Sequence, residues 1–126
     1  MAISPGAQAT QRFLVTDGDT ATAVGSGDVP VLATPRVIAW CEAVTVAAVA
    51  SQLEEGQTTV GSAVRLDHLR PTPVGDEVTV AAEVTDVAGR TITFAVTATD
   101  GGGTAASGEV VRVALDRQTF IDRLPT

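Results

Sequence analysis

Two titratable side chains stand out because each lies in an apolar pattern that predicts burial. Glu42 is the only carboxylate in the apolar run from Val37 to Leu53, and His68, the single histidine of the chain, follows 26 residues later in an alternating strand pattern. An unpartnered buried carboxylate is unfavourable by several kcal/mol or has a raised pKa. A carboxylate and an imidazole directed to the interior suit acid–base chemistry near neutral pH. The sequence therefore predicts a site, with Glu42 as nucleophile or general base and His68 as proton shuttle.

Each candidate residue also has an interpretation without chemistry. Glu42 can pair with an arginine at a subunit interface, and His68 can be a hydrogen-bonded core residue. Thr34 is predicted to cap the helix that Pro35 begins. A hydroxyl at a helix N-terminus, where free amides favour an oxyanion, can also be a nucleophile or a donor to the substrate. Cys41 is interpreted as a small buried hydrophobe, because helix neighbours point ~100° apart and Cys41 does not share a pocket with Glu42.

The spacing of Thr34 and Glu42 limits how they act together. Eight residues correspond to ~12 Å along a helix axis, so the two side chains do not hydrogen-bond directly. Either the substrate lies between them, or the site is completed across a dimer interface. The interface site is the hypothesis that we favour.

A single long helix is predicted from Thr34 to about Leu53. It is apolar nearly all round, which indicates burial on most sides rather than on one face. Residues 12–16 and 19–24, before the helix, are predicted to be two short extended segments.

After the helix the hydrophobic period changes to two, which predicts four antiparallel strands. The expected strands are residues 59–69, 78–85, 91–99 and 105–115, with turns at residues 88–90 and 100–103. Gly108 is expected to mark a bulge or a close backbone approach. The pattern is typical of an α+β hotdog fold over residues 1–126, in which a curved antiparallel sheet of about five strands wraps one long buried helix. The usual dimer of this architecture extends the sheet between subunits.

The composition excludes several function classes. The net charge is −7 and the eight cations are all arginine, so nucleic acid and anionic membranes are poor partners. Without lysine there is no Schiff-base or phosphate-loop lysine, and one cysteine with one histidine does not build a tetrahedral zinc site. The apolar run is shorter than the ~20 residues of a bilayer span, and the N-terminus lacks a signal pattern. We expect a cytoplasmic protein without metal.

Several short motifs together resemble a known family. They are Val31-Leu32-Ala33-Thr34, Glu42 eight residues further on, Leu53-Glu54-Glu55-Gly56, Val60-Gly61-Ser62-Ala63 and His68. Residues 72–75 and the segment from Ser107 to Arg112 continue the match. The sequence thus resembles the fluoroacetyl-CoA thioesterase family of hotdog proteins over roughly residues 12–120.

The resemblance implies a homodimer, or a dimer of dimers, that cleaves short acyl-CoA with no cofactor of its own. The family's catalytic residues fall on Thr34, Glu42 and His68. Its glycine near the thioester carbonyl falls on Gly61, and its substrate-side arginine falls on Arg112. Whether Glu42 or Thr34 attacks the carbonyl is left open.

The sequence departs from the family ahead of the threonine. The phenylalanine-bearing lid that shapes the fluoroacetyl pocket in the family's founding enzyme has no counterpart in Val29-Pro30-Val31-Leu32, which favours a more general small or medium acyl thioester. The alternatives are an acyl-thioester hydratase or dehydratase, and a non-catalytic module that binds acyl-CoA or an acyl carrier. Four arginines are candidates for the CoA phosphates: Arg36, Arg65, Arg70 and Arg90.

Overall fold

A computed structural model describes residues 2–125 as one antiparallel sheet and three helices. The strands are β1 (Gln8–Leu14), β2 (Gln57–His68), β3 (Glu77–Ala88), β4 (Thr91–Asp100) and β5 (Gly103–Asp116). The helices are α1 (Ala21–Val24), α2 (Thr34–Val49) and α3 (Arg117–Asp122), with 3-10 turns at Asp17–Asp19 and Ala50–Gln52. No helix within residues 2–125 is long and apolar enough to cross a membrane.

The core lies between helix α2 and one face of the sheet, whose strand order is β1-β3-β4-β5-β2. Alternate residues of the strands point to this face. They meet the buried side of α2, and the fully buried side chains include Val37, Val44, Val80, Phe94 and Val110. A five-stranded antiparallel sheet around one long helix is the hotdog architecture, so the predicted fold is confirmed.

Helix α2 is less completely covered than its composition predicts. The sheet covers one side, and a stripe at helical spacing faces solvent: Ala39, Ala43, Val46 and Ala50. Val46 is 45% exposed. The helix is apolar all round, yet this chain by itself buries only the part that the sheet reaches.

The segment before α2 differs from the prediction of two extended pieces. Strand β1 begins earlier, at Gln8, and residues 17–24 are largely helical. The reason is local: Thr20 Oγ1 accepts a hydrogen bond from the amide of Ala23 at 3.2 Å, and Gly25 ends the turn with φ of 85°. These caps stabilise a helix too short to show a hydrophobic period.

The prediction that Thr34 caps α2 is wrong. Ala33 is the N-cap and Thr34 is the first helical residue, with its side chain directed elsewhere. Pro35 has no N–H, and the amides of Arg36 and Val37 both donate to the carbonyl of Ala33, at 3.0 and 3.1 Å. Within residues 2–125, the amide of Thr34 is therefore the one at this terminus that has no hydrogen-bond partner.

The remaining boundaries agree with the sequence except at the end of the helix. The α-helical turns stop at Val49, four residues before the predicted end, and a 3-10 turn follows. Both predicted hairpin turns are present, between β3 and β4 and between β4 and β5. Gly108 is confirmed as a close approach, because a Cβ there would collide with the carbonyl oxygen of Arg65 on β2.

Candidate active site

The first functional pair joins the start of α2 to the end of β2. The Oγ1 atom of Thr34 lies 2.7 Å from Nδ1 of His68. Burial lowers the pKa of His68 below its ordinary value, so the imidazole is neutral at neutral pH. Its other nitrogen, Nε2, is shielded from solvent and has no hydrogen-bond partner within residues 2–125. Buried polar atoms are nearly always paired, so Nε2 has an unmet hydrogen-bonding capacity.

A cavity of about 520 Å³ opens beside this pair. Thr34 and His68 both line it, and apart from Arg70 the other lining side chains are small or aliphatic. The other lining residues are Ala21, Ser26, Val31, Leu32, Pro35, Leu69, Arg70 and Pro71. The cavity places a neutral imidazole and a hydroxyl against a space large enough for a small acyl group.

The second group surrounds Glu42, further along α2. Arg112 on β5 donates from Nη1 to Oε2 of Glu42 at 3.1 Å, and from Nε and Nη2 to the hydroxyl and carbonyl of Thr59 at 2.9 and 3.1 Å. The side chain of Arg112 is 9% exposed and that of Glu42 is 36% exposed. Arg112 is thus buried with three hydrogen bonds, whereas the carboxylate of Glu42 still faces solvent on one side.

Gly61 allows Glu42 to approach strand β2. A Cβ built at Gly61 would lie 2.5 Å from Oε2 of Glu42 and 3.5 Å from Nη1 of Arg112. The β2–β5 register shifts between Gly61 and Ala63, and Gly61 pairs directly with Arg112. Any side chain at position 61 would displace the carboxylate, so the glycine is required by this contact. Its predicted place beside a thioester carbonyl stays a prediction, as does substrate contact by Arg112.

The structure therefore divides the five predicted site residues into two groups. Thr34 contacts His68, and Glu42 contacts Gly61 and Arg112, but within residues 2–125 no hydrogen bond links the two groups. Eight helical residues separate them by ~12 Å on α2. The alternative in which Glu42 pairs with an arginine is realised inside the chain, by Arg112, rather than at an interface.

Thr59 belongs to the second group but sequence reasoning did not single it out. It is 8% exposed and supplies two of the three acceptors of Arg112. Arg112 was the signal in the sequence that could have pointed to Thr59, because an arginine on the inward face of a strand needs several hydrogen-bond acceptors nearby.

Cys41, next to Glu42 in the sequence, takes no part in either group. It is fully buried, and burial together with the charge of Glu42 raises the pKa of its thiol to about 11. The nucleophilic thiolate is therefore scarce at neutral pH. This agrees with the interpretation of Cys41 as a hydrophobe.

The fold and the cavity at the Thr34–His68 pair define a hotdog-fold protein with a candidate acid–base site. The model of the family described as the fluoroacetyl-CoA-specific thioesterases, FlK, matches residues 15–118. The chain belongs to this family.

Individual relatives agree with the family. A fluoroacetyl-CoA thioesterase of Streptantibioticus cattleyicolor is 36% identical over 90 residues, which is 71% of this chain and 65% of that protein. The match therefore spans slightly less than two thirds of the curated relative. A crystal structure of the fluoroacetyl-CoA thioesterase FlK superposes with a TM-score of 0.90 at 28% identity, covering 99% of this chain and 100% of that one. A thioesterase superfamily member from Thermus thermophilus superposes with a TM-score of 0.89 at 27% identity, covering 96% and 90%.

Proposed function

We propose that this protein is an acyl-CoA thioesterase that hydrolyses a small or medium acyl thioester to the free acid and CoA. The observation that carries the proposal is the hydrogen bond between Thr34 and a neutral, partly buried His68, which lines a cavity and whose Nε2 has no hydrogen-bond partner within residues 2–125. Family membership supports the reaction class. Thr34, His68 and Glu42 are the proposed catalytic residues.

His68 is the proposed general base. In one tautomer Nδ1 is bare and accepts a hydrogen bond from the Thr34 hydroxyl. In the other, Nδ1 is protonated and donates to Thr34, which leaves Nε2 bare to deprotonate a water. In the second, the hydroxide adds to the thioester carbonyl, the C–S bond breaks, and the imidazolium returns the proton to the thiolate. If Nδ1 is bare, it instead accepts the proton of Thr34, and the threonine oxygen attacks the carbonyl. The C–S bond breaks, the imidazolium protonates the thiolate, and water then hydrolyses the acyl-threonine ester to the free acid. In a third route the Glu42 carboxylate attacks the carbonyl, CoA leaves as the thiolate, and water hydrolyses the resulting mixed anhydride, which restores the carboxylate.

The proposed site is shared between two copies of the chain. Strand β2 is an edge strand, and residues 61–65 are exposed on both of its faces. An uncovered edge is a template for pairing with another strand. A twofold axis near Val64 and Arg65 would put Gly61 opposite His68 of the partner subunit and bring Glu42 towards the partner's Thr34–His68 pair. The exposed stripe of α2 that includes Val46 also favours a covering partner.

The proposed substrate range follows from the cavity. The segment before Thr34 contributes Ala21, Ser26 and Val31 to the lining, and the lining formed by residues 2–125 contains no phenylalanine, tyrosine or tryptophan. This supports a more general small or medium acyl group rather than fluoroacetyl alone. We propose that no metal or redox cofactor takes part, because acid–base groups suffice for thioester hydrolysis, and that CoA enters as part of the substrate. A cytoplasmic location, where acyl-CoA is made and used, completes the proposal.

The activity is tested by free-thiol release from acyl-CoAs of increasing length. Wild type is expected to release CoA from short or medium acyl-CoAs, and His68→Ala is expected to lose this release. A matched control is Leu14→Ala, because Leu14 is 58% exposed on β1 and does not line the cavity. If wild type leaves every thioester intact, the binding-module alternative is favoured. If wild type hydrates enoyl-CoA without releasing thiol, the hydratase alternative is favoured.

The dimer is tested by light scattering at several concentrations. Val64→Asp places a charge beside the proposed twofold and is expected to shift the protein towards the monomer and lower turnover. Val74→Asp is the control, because Val74 is similarly exposed, 41% against 39%, but lies in a loop away from the β2 edge. A monomeric wild type would remove the shared site from the proposal.

A further inference from the structure

A positively charged side chain, that of Arg70, also lines the cavity of the Thr34–His68 pair. Arg70 follows His68 by two residues, so their Cα atoms lie at most ~7 Å apart. The backbone there is anchored to β5, because the amides of Leu69 and Arg70 both donate to the carbonyl of Ala105, at 2.7 and 3.3 Å. The side chain of Arg70 is 40% exposed. It therefore reaches both the cavity rim and solvent.

Arg70 is held against a buried carboxylate that is already satisfied by other donors. The side chain of Asp100 is 1% exposed, and its oxygen lies 3.7 Å from Nη2 of Arg70. Asp100 accepts shorter hydrogen bonds from the hydroxyl of Thr72 and the amide of Gly102, both at 2.8 Å. The guanidinium also lies against Gly102, where any Cβ would collide with it. The turn thus positions Arg70 without using up its N–H groups.

Two other arginines are engaged away from the cavity. Arg112 donates three hydrogen bonds. Arg36 donates from Nη2 to the carbonyl of Gly18 and lies 3.2 Å from Asp19, although its Nε makes no hydrogen bond within residues 2–125, and it does not line the cavity. Within residues 2–125, the Arg70 side chain makes no hydrogen bond, and its contact with Asp100 is an ion pair at 3.7 Å. A guanidinium with free N–H groups matches the oxygens of a carboxylate or a phosphate.

We propose that Arg70 binds an anionic group of the thioester substrate and determines which substrates are favoured. The inference rests on the proposed thioesterase function and deepens it. Two parts of an acyl-CoA can supply the oxyanion: a phosphate of CoA, or a carboxylate at the far end of the acyl chain. The chemistry at Arg70 is the same for both, so the experiment distinguishes them.

The test measures kcat/KM for wild type, Arg70→Gln and Arg70→Lys with three thioesters: butyryl-CoA, succinyl-CoA and butyryl-pantetheine, which lacks the nucleotide phosphates. Arg12→Gln is the matched control, because Arg12 is an exposed arginine on β1 remote from the cavity. Thermal unfolding of each variant shows that the fold is intact. Losing a hydrogen bond to a charged group predicts a roughly 10- to 100-fold loss in Arg70→Gln. Arg70→Lys should recover part of it.

The pattern of losses identifies the anion. If Arg70 binds a phosphate, Arg70→Gln loses activity on both CoA thioesters and keeps it on butyryl-pantetheine. If it binds an acyl carboxylate, the loss is confined to succinyl-CoA. Changes below twofold on all three substrates overturn the inference while leaving the thioesterase proposal standing. If wild type hydrolyses none of the three, the thioesterase proposal fails, and the anion site at Arg70 is tested instead by calorimetric binding of the two CoA thioesters. A Kd tenfold weaker in Arg70→Gln supports the anion site, and an equal Kd overturns it.

Discussion

The two groups of site residues are built in opposite ways. At the start of α2, Thr34 and His68 share one short hydrogen bond, and Nε2 of the imidazole is left without a partner. Further along the helix, Glu42 is paired with Arg112, whose N–H groups are held by Thr59 as well. One group carries an unmet hydrogen-bonding capacity at a cavity, and the other is fixed and charge-paired.

This difference indicates a division of roles. An imidazole nitrogen without a hydrogen-bond partner suits proton transfer, because its hydrogen-bonding capacity remains for a reacting group. A carboxylate held by an arginine and a glycine keeps a defined position and a negative charge. We therefore expect changes at His68 to act on turnover, whereas changes around Arg112 act on stability and on the placement of Glu42.

The largest effect is expected at the unpaired imidazole. His68→Ala should lower turnover by roughly 10²-fold or more, because it removes the general base. Thr34→Ser should keep most of the activity, since the hydroxyl is retained. The measurement is steady-state thiol release at saturating substrate. Near-wild-type turnover in His68→Ala would remove His68 from the mechanism.

Arg112→Gln probes the paired group through stability. It removes hydrogen bonds to Thr59 and Glu42 from a nearly buried side chain, and should lower the free energy of unfolding by ~2 kcal/mol. The contribution of the ion pair to this loss is small, because Glu42 is more than one-third exposed and solvent screens its charge. Urea titration measures the change, with Arg12→Gln as the exposed control. A loss no larger than in the control would mean that the Arg112 contacts add no net stability.

Gly61→Ala tests placement with little change in chemistry. The added Cβ would displace Oε2 of Glu42, so we expect a roughly tenfold lower kcat/KM with a folded protein. Gly18→Ala is the control, because a Cβ there meets its nearest neighbour at an ordinary 3.9 Å. Equal activity in both variants would show that the position of Glu42 does not matter.

The smallest effect concerns pH. Burial lowers the pKa of His68 from 6.5, so the active neutral form persists below that pH, and kcat/KM should fall only as the pH drops through the lowered pKa. The unfolded chain takes up the proton first, near 6.5. The stability that neutral His68 contributes is thus present above that pH and declines below it, relative to His68→Ala. A midpoint of the rate profile above 6.5 would contradict the assignment.

The sequence predicted the fold because the helix and the strands have clear hydrophobic periods. It missed α1 because four residues show no period, and only the caps at Thr20 and Gly25 mark them. It assigned Thr34 to capping because local propensity favours it, whereas a histidine 34 residues away takes the hydroxyl.

The second group was also beyond local reasoning. Glu42 and Arg112 are 70 residues apart and meet only because the β2–β5 register puts Gly61 opposite Arg112. The types of the residues were visible in the sequence, but their partners depend on that register.

The most direct test of the account asks whether the two groups act together across a dimer. Two differently tagged chains are co-expressed and the mixed dimer is purified. With Glu42→Gln on one chain and His68→Ala on the other, a shared site leaves one intact site and about half of the wild-type activity. With both substitutions on the same chain and a wild-type partner, a shared site leaves none. The account predicts this pattern, and the reverse, an inactive first dimer and a half-active second, would show that each chain carries its own complete site.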